Sequence, residues 1–382
     1  WEGYYLNINF SKRRNRKYVK ISLYILLAFS FLTTIVFVYN NHSFYEQPIA
    51  KIMDVELKDT TETVDMFGNE DLLQTQIIAA KVMNGEQKGQ LITFLNEYST
   101  SKAYDNPYKV GQEVFINIDE VSEGKLTGTI ADIKRDKHLA IVGWIFIFIL
   151  LLVGRKQGLY SILTLGVNAV ILSYTLDVYL SRPHWNLVVI AGVSVLFFTV
   201  ISFLFVNGFN EKTYAAIIAT LVSTFVLIAI AYFVIWLADS QGLRYEEMQF
   251  LTRNPEMIFL AGVLIGSLGA VMDVAITMSS SIFGLYEKNN EISMEALKAS
   301  AMDIGKDIMG TMTNILFFVY ISGSIPTLVL YMKNDIMWGY MFTMNLSLDI
   351  ARALAGGIGI VLTIPIGMYI TIFFIHQMRA RQ

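Results

Sequence analysis

Residues 261–281 read Ala261-Gly-Val-Leu-Ile-Gly-Ser-Leu-Gly-Ala-Val-Met-Asp273-Val-Ala-Ile-Thr-Met-Ser-Ser-Ser281. All but one of these residues are apolar, small or hydroxylated, and the run is long enough to cross a bilayer, which takes roughly 20 residues. The exception is Asp273. A charge at the bilayer centre costs about 2.5–3.5 kcal/mol on insertion scales, so chains keep one only where protein or water surrounds it. The stretch points to a polytopic α-helical membrane protein and marks a first candidate site.

The whole chain agrees. Of its 382 residues, 54% are hydrophobic and only 16% charged, against roughly a quarter charged in soluble domains. Apolar runs predict about eight transmembrane helices, at 18–39, 139–154, 158–177, 187–207, 213–238, 257–283, 307–331 and 354–376. The second is short and is expected to begin earlier or to tilt. Lys12, Arg13, Arg14, Arg16 and Lys17 precede the first run, and Lys20 lies at its start. That run is long for a signal peptide and lacks a small-residue cleavage site, so it reads as a retained anchor.

Basic residues mark the cytoplasmic side of a membrane protein. By that rule residues 1–17 form a basic cytoplasmic N-terminus, 18–39 the first transmembrane helix and 41–137 an exported domain. Residues 139–376 form a seven-helix membrane domain and 377–382 a cytoplasmic tail. Arg155 and Lys156 suit an inner turn between spans 2 and 3, and the acidic 239–256 loop suits the outside. Segment 41–137 carries ten Lys/Arg and seventeen Asp/Glu. Alternation at 77–82, 91–95, 113–118 and 126–133, with turn residues between, predicts a small, mostly β extracytoplasmic domain. Its acidic excess reads as a solvated face, because no calcium-loop spacing is present.

On span 6, Gly262, Gly266 and Ala270 recur every four residues, while Gly269, Asp273, Thr277 and Ser280 continue a neighbouring face. Small residues permit close approach of a second helix, so this face is expected to point into the bundle. A second run, Ser300-Ala-Met-Asp-Ile-Gly-Lys-Asp-Ile-Met-Gly-Thr-Met-Thr-Asn314, leads into span 7. Asp303, Asp307, Gly310, Thr311 and Asn314 share one helical face there, and the two acids are expected near a helix start, where the macrodipole favours negative charge. Asp349 and Arg352, three apart, predict a local ion pair at the head of span 8. Asn168 is a weaker candidate. Gly356-Gly357 is expected to break an interfacial amphipathic segment, 335–352, from span 8. Ser293-Met-Glu-Ala-Leu-Lys reads as a capped helix start.

Several chemistries fall away. Cysteine is absent, which excludes disulfides and thiol sites. No His-Glu-x-x-His, no Gly-x-Gly-Asp at Asp273, no Gly-x-Ser-Gly and no phosphate-binding Gly-x-x-x-x-Gly-Lys-Ser/Thr occurs. The four histidines, His42, His138, His184 and His376, are scattered. No enzyme activity, catalytic residue, metal, cofactor or nucleic-acid partner is expected.

Three runs carry a resemblance: Gly266–Ile276, Ala301–Asn314 and Ala355-Gly-Gly-Ile-Gly-Ile-Val-Leu-Thr-Ile-Pro365. They resemble the YibE/F-like family of bacterial membrane proteins. A soluble domain after span 1 resembles the longer E-type member. The resemblance implies a bacterial plasma-membrane location and a shorter F-type partner; a homo-oligomer is the other option. A looser likeness is to resistance-nodulation-division and SecD/SecF-type exporters, which use an intramembrane acid for proton coupling. This chain has two more spans than their six-helix repeat and a much smaller outer domain. The expected function is a permease or export component, proton- or cation-coupled, whose path involves Asp273, Thr277, Asp303, Asp307, Thr311 and Asn314. The other expectation is a non-transporting sensor or assembly scaffold whose outer domain binds a ligand or partner.

Overall fold

The computed structural model describes residues 22, 25–64, 66, 68–102, 106–122, 125–182, 184–239, 242–248 and 253–381. The basic N-terminus, 1–17, lies outside them. The chain forms two compact units that divide between Leu152 and Val153.

The first unit contains helix α1 (Ile25–Phe44), whose last turn is 3-10, and five strands. These are β1 (Ile49–Val64), β2 (Glu70–Val82), β3 (Leu91–Ser99), β4 (Glu113–Ser122) and β5 (Lys125–Ile133). They close into a barrel in the order β1-β2-β3-β5-β4, antiparallel throughout except for β3 with β5. That is the pairing of an OB-type barrel. Alternate residues turn inward: Ile78, Ala80 and Val82 on β2, Ile92 and Phe94 on β3, Val114 and Ile116 on β4 are all buried.

Four of the five strands cover the alternating segments. The fifth, β1, carries no such signal. Only its first residues enter the barrel core, and from Glu56 onward it is mostly exposed and pairs with β2 alone. A ribbon with no buried face has no alternation to read.

A charged clamp joins the barrel to the helices of its own unit. Lys134 Nζ is wholly buried and sits 2.7 Å from Asp136 Oδ2 and 3.5 Å from Glu113 Oε2. It also donates to the Val38 carbonyl of α1 at 3.1 Å. Lys137 Nζ donates to Glu113 Oε1 at 2.7 Å, and His42 Nε2 lies 3.1 Å from Glu113 Oε2. Asn41 Nδ2 and the Tyr45 hydroxyl donate to Asp136. Higher up, Phe31 of α1 meets Trp144 edge-on at 5.5 Å.

Among the described residues seven helices are long and apolar enough to cross a bilayer. They are α1, α2 (Asp136–Ser181), α3 (Leu187–Asn207), α4 (Glu211–Leu237), α5 (Pro255–Lys288), α6 (Met294–Lys333) and α8 (Ser347–Arg381). The short α7 (Trp338–Tyr340) and a π turn, Met341–Asn345, precede α8. The difference from eight lies in α2. The runs 139–154 and 158–177 both fall on it, either side of Arg155, where φ 48° and ψ −117° leave helical geometry.

Side-chain caps set the starts: Asn186, Asn210, Asn254 and Ser293 each accept a hydrogen bond from a backbone N–H of the helix they open. Ser293 confirms the capped start and makes one helix of 294–333. Asp303 and Asp307 therefore lie well inside α6, not at a helix start, and the macrodipole does not account for them.

In the second unit α8 is the hub, packed against α4, α5 and α6. Glycines permit the approach. A Cβ at Gly359 would stand 2.9 Å from Leu227 of α4 and 3.3 Å from Val271 of α5. One at Gly356 would stand 2.7 Å from Leu316 of α6. Gly356-Gly357 thus serves packing inside a continuous α8, and the break expected there falls instead at the π turn.

The clamp yields a pH dependence. Burial alone would raise the Glu113 carboxyl, but the hydrogen bond and charge of Lys137, with His42, hold it below its ordinary value. Its contribution is then complete above the unfolded value, about 4.3, and is lost as pH falls through the lower folded value. Hydrogen exchange of β4 and β5 is expected to accelerate below that range, and Glu113→Gln is expected to flatten the dependence. Lys134→Met, which strips a buried partner, should cost roughly 3 kcal/mol in the same measurement.

Candidate functional site

The α5 stripe lies opposite that helix's core face. Val263, Leu264, Ser267, Val271, Val274 and Met278 are buried, whereas Gly262, Gly266, Gly269, Asp273 and Ser280 are exposed and Thr277 is half-buried. A Cβ at Gly262 or Gly269 would meet nothing within 4 Å. On α6, Ala301, Gly305 and Leu316 are buried, while Asp303, Asp307, Gly310, Thr311 and Asn314 are exposed. The expectation that these small and polar faces point into the bundle is corrected for Asp273 and for Asp303, Asp307, Thr311 and Asn314, which turn away from the chain's own apolar core; Ala270 packs against that core and Gly266 faces α6. Both helices spend their apolar stripe on α8, which leaves the polar one outside.

The Tyr320 hydroxyl of α6 lies over Gly266 of α5, where an added Cβ would collide with it. Asp303 pairs with Lys306 at 3.1 Å in an exposed i,i+3 contact, which is worth at most about 0.5 kcal/mol. Among the described residues no hydrogen bond or ion pair joins Asp273, Asp307, Thr311 or Asn314 to another side chain.

A second constellation is assembled at the other end of the same helices. Arg352 Nη1 donates to Asp349 Oδ1 at 2.8 Å, both side chains being about a quarter exposed. The expected local pair is there. It is also more than local. Ser324 of α6 donates to Asp349 Oδ2, and the Arg352 guanidinium lies 5.5 Å from the centre of the Phe259 ring on α5. Tyr320, one turn before Ser324 on α6, lies over Gly266 of α5. The ion pair on α8 therefore touches α5 and α6 together. Ser324 and Tyr320 escaped the sequence argument; their signal is the i,i+4 spacing of two polar groups in an apolar run.

Within the bundle the polar groups are hydroxyls. Thr220, Ser223 and Thr224 of α4 are fully buried, and their oxygens lack a hydrogen-bond partner among the described residues. Asn168 donates to Ser202 at 2.9 Å, joining α2 to α3. Among the described residues, no three His, Cys, Asp or Glu side chains are grouped to hold a metal ion.

Residues 142–377 match the family model described as YibE/F-like protein, and residues 43–133 match the YibE/F family N-terminal domain. The chain belongs to the YibE/F-like family. The YibE/F N-terminal domain coincides with the barrel, and the YibE/F-like region takes in the rest of α2 through α8. All the candidate residues named above fall in that second region. No curated protein and no solved structure matches the chain.

In this YibE/F-like chain the Asp349–Arg352 pair is expected to behave as a coupled unit. Arg352→Met leaves a part-buried carboxylate with Ser324 as its named partner, and a loss of roughly 2 kcal/mol is expected. The double substitution Asp349→Leu with Arg352→Met should recover at least half of it. Thermal unfolding of the four variants of the cycle in detergent checks this.

Proposed function

We propose that the chain is a bacterial plasma-membrane permease or export component, coupled to protons or cations, with both termini in the cytoplasm and the barrel outside. The path involves Asp273 and Thr277 of α5 with Asp303, Asp307, Thr311 and Asn314 of α6. One observation carries this: Asp273 lies unpaired on a glycine-lined face of a helix long and apolar enough to span the bilayer. A carboxylate held there against lipid is costly, and one lining a wet path is not. Because the face is open in the helical unit, the path is completed by a second membrane subunit, either another copy of this chain or a shorter F-type partner. Asp273 then takes up and releases the coupling proton or binds the cation, and the flanking hydroxyl and amide groups bridge it to water.

The sensor or scaffold function is favoured by a different observation, the pairing of Asp349 with Arg352 and Ser324, with Phe259 beside the guanidinium. It requires no flux at all.

The discriminating experiment reconstitutes the protein in vesicles loaded with a pH-sensitive or cation-sensitive dye and imposes an ion gradient. Wild type should dissipate the gradient, and Asp273→Asn should slow this at least ten-fold with unchanged thermal stability. Equal rates in wild type and variant would remove the relay role. No flux from the wild type would favour the scaffold.

A further inference from the structure

Two grooves on the second unit share one lining residue, Leu354. The upper, about 960 Å³, lies between the 242–246 loop, the turn at 342–347 and the first turns of α8. Arg244 and Glu246 stand among its lining residues, with Thr343 and Ser347. The lower, about 370 Å³, runs between α6 and α8 past Phe317, Ile358 and Val361 and is almost wholly apolar.

Shape and chemistry select the occupant. The α8 residues that line the two grooves, Ser347 to Leu362, span about 22 Å at 1.5 Å per residue. Half of a whole bilayer, headgroups included, is also about 20–22 Å. A charged mouth above an apolar trough of that length matches an amphiphile standing in one leaflet. The mouth carries both signs, a guanidinium for a phosphate and a carboxylate for an amine.

We infer that this trough is a phospholipid site: one acyl chain lies along Leu354, Ile358 and Val361, and a zwitterionic, amine-bearing headgroup sits between Arg244 and Glu246. The site is distinct from the polar face of α5 and α6, and it stands whether or not the chain transports. A retained lipid there would fill the open side of α8 and hold the 242–246 loop against the turn before that helix.

The test places the full chain in vesicles containing phosphatidylethanolamine with a photoactivatable acyl chain, irradiates, and maps the adducts by mass spectrometry. Labelling is expected to concentrate on residues 347–362. Leu354 is 64% exposed, so Leu354→Trp fills the trough without disturbing the core and should cut that labelling at least five-fold. Phe373→Trp, on a different exposed part of α8, should not. A phosphatidylglycerol probe should label the same peptide at least five-fold less. Unchanged labelling in Leu354→Trp, equal labelling by the two headgroups, or labelling spread evenly over all the apolar helices would each overturn the proposal.

Discussion

The helical unit depends on how closely α8 can approach its neighbours. Without side chains at Gly356 and Gly359, the α8 backbone comes up against Leu316 of α6 and against Leu227 and Val271 on the two helices beyond. That contact organises one apolar core, in which Val274, Met278, Leu297, Ala301, Ile360 and Ile364 are buried together. Interhelical packing in a bilayer has little hydrophobic drive, and small residues at the contact are what make it favourable. Once α5 and α6 have committed their apolar stripes to α8, their remaining faces have no partner in the unit.

The charged groups sort according to whether the unit can pair them. Asp349 and Arg352 find each other, and Ser324 and Phe259 find them. Lys134, Glu113, Lys137 and Asp136 do the same in the other unit, where a wholly buried ammonium is surrounded by acceptors. Asp273 and Asp307 are left over. The proposed function rests on them and not on the Asp349–Arg352 pair.

Much of this was legible in the sequence. The barrel strands with an inward face showed their period, Ser293 announced its helix, and the i,i+3 spacing of Asp349 and Arg352 gave the pair. The acidic, solvent-facing ribbon of β1 has no buried side to leave a trace. The direction of the polar stripes was missed for a physical reason. The rule that intramembrane charge faces inward is a rule about a complete assembly, while a single chain obeys its own apolar stripe first. On α6 that stripe, Gly305, Ile308, Met309, Met312 and Leu316, was visible and pointed the other way. The tie of Arg352 to α5 through Phe259 joins residues 93 positions apart, and no local pattern encodes it.

The most direct measurement of the central claim is photo-crosslinking in native membranes with a photoreactive phenylalanine derivative placed at Asn314, and at Phe373 for comparison. A second membrane subunit over the α5–α6 face should give a discrete protein adduct of higher mass from Asn314 and none from Phe373. Adducts to lipid alone from both positions would contradict it, and the polar face would then be an open surface of the chain.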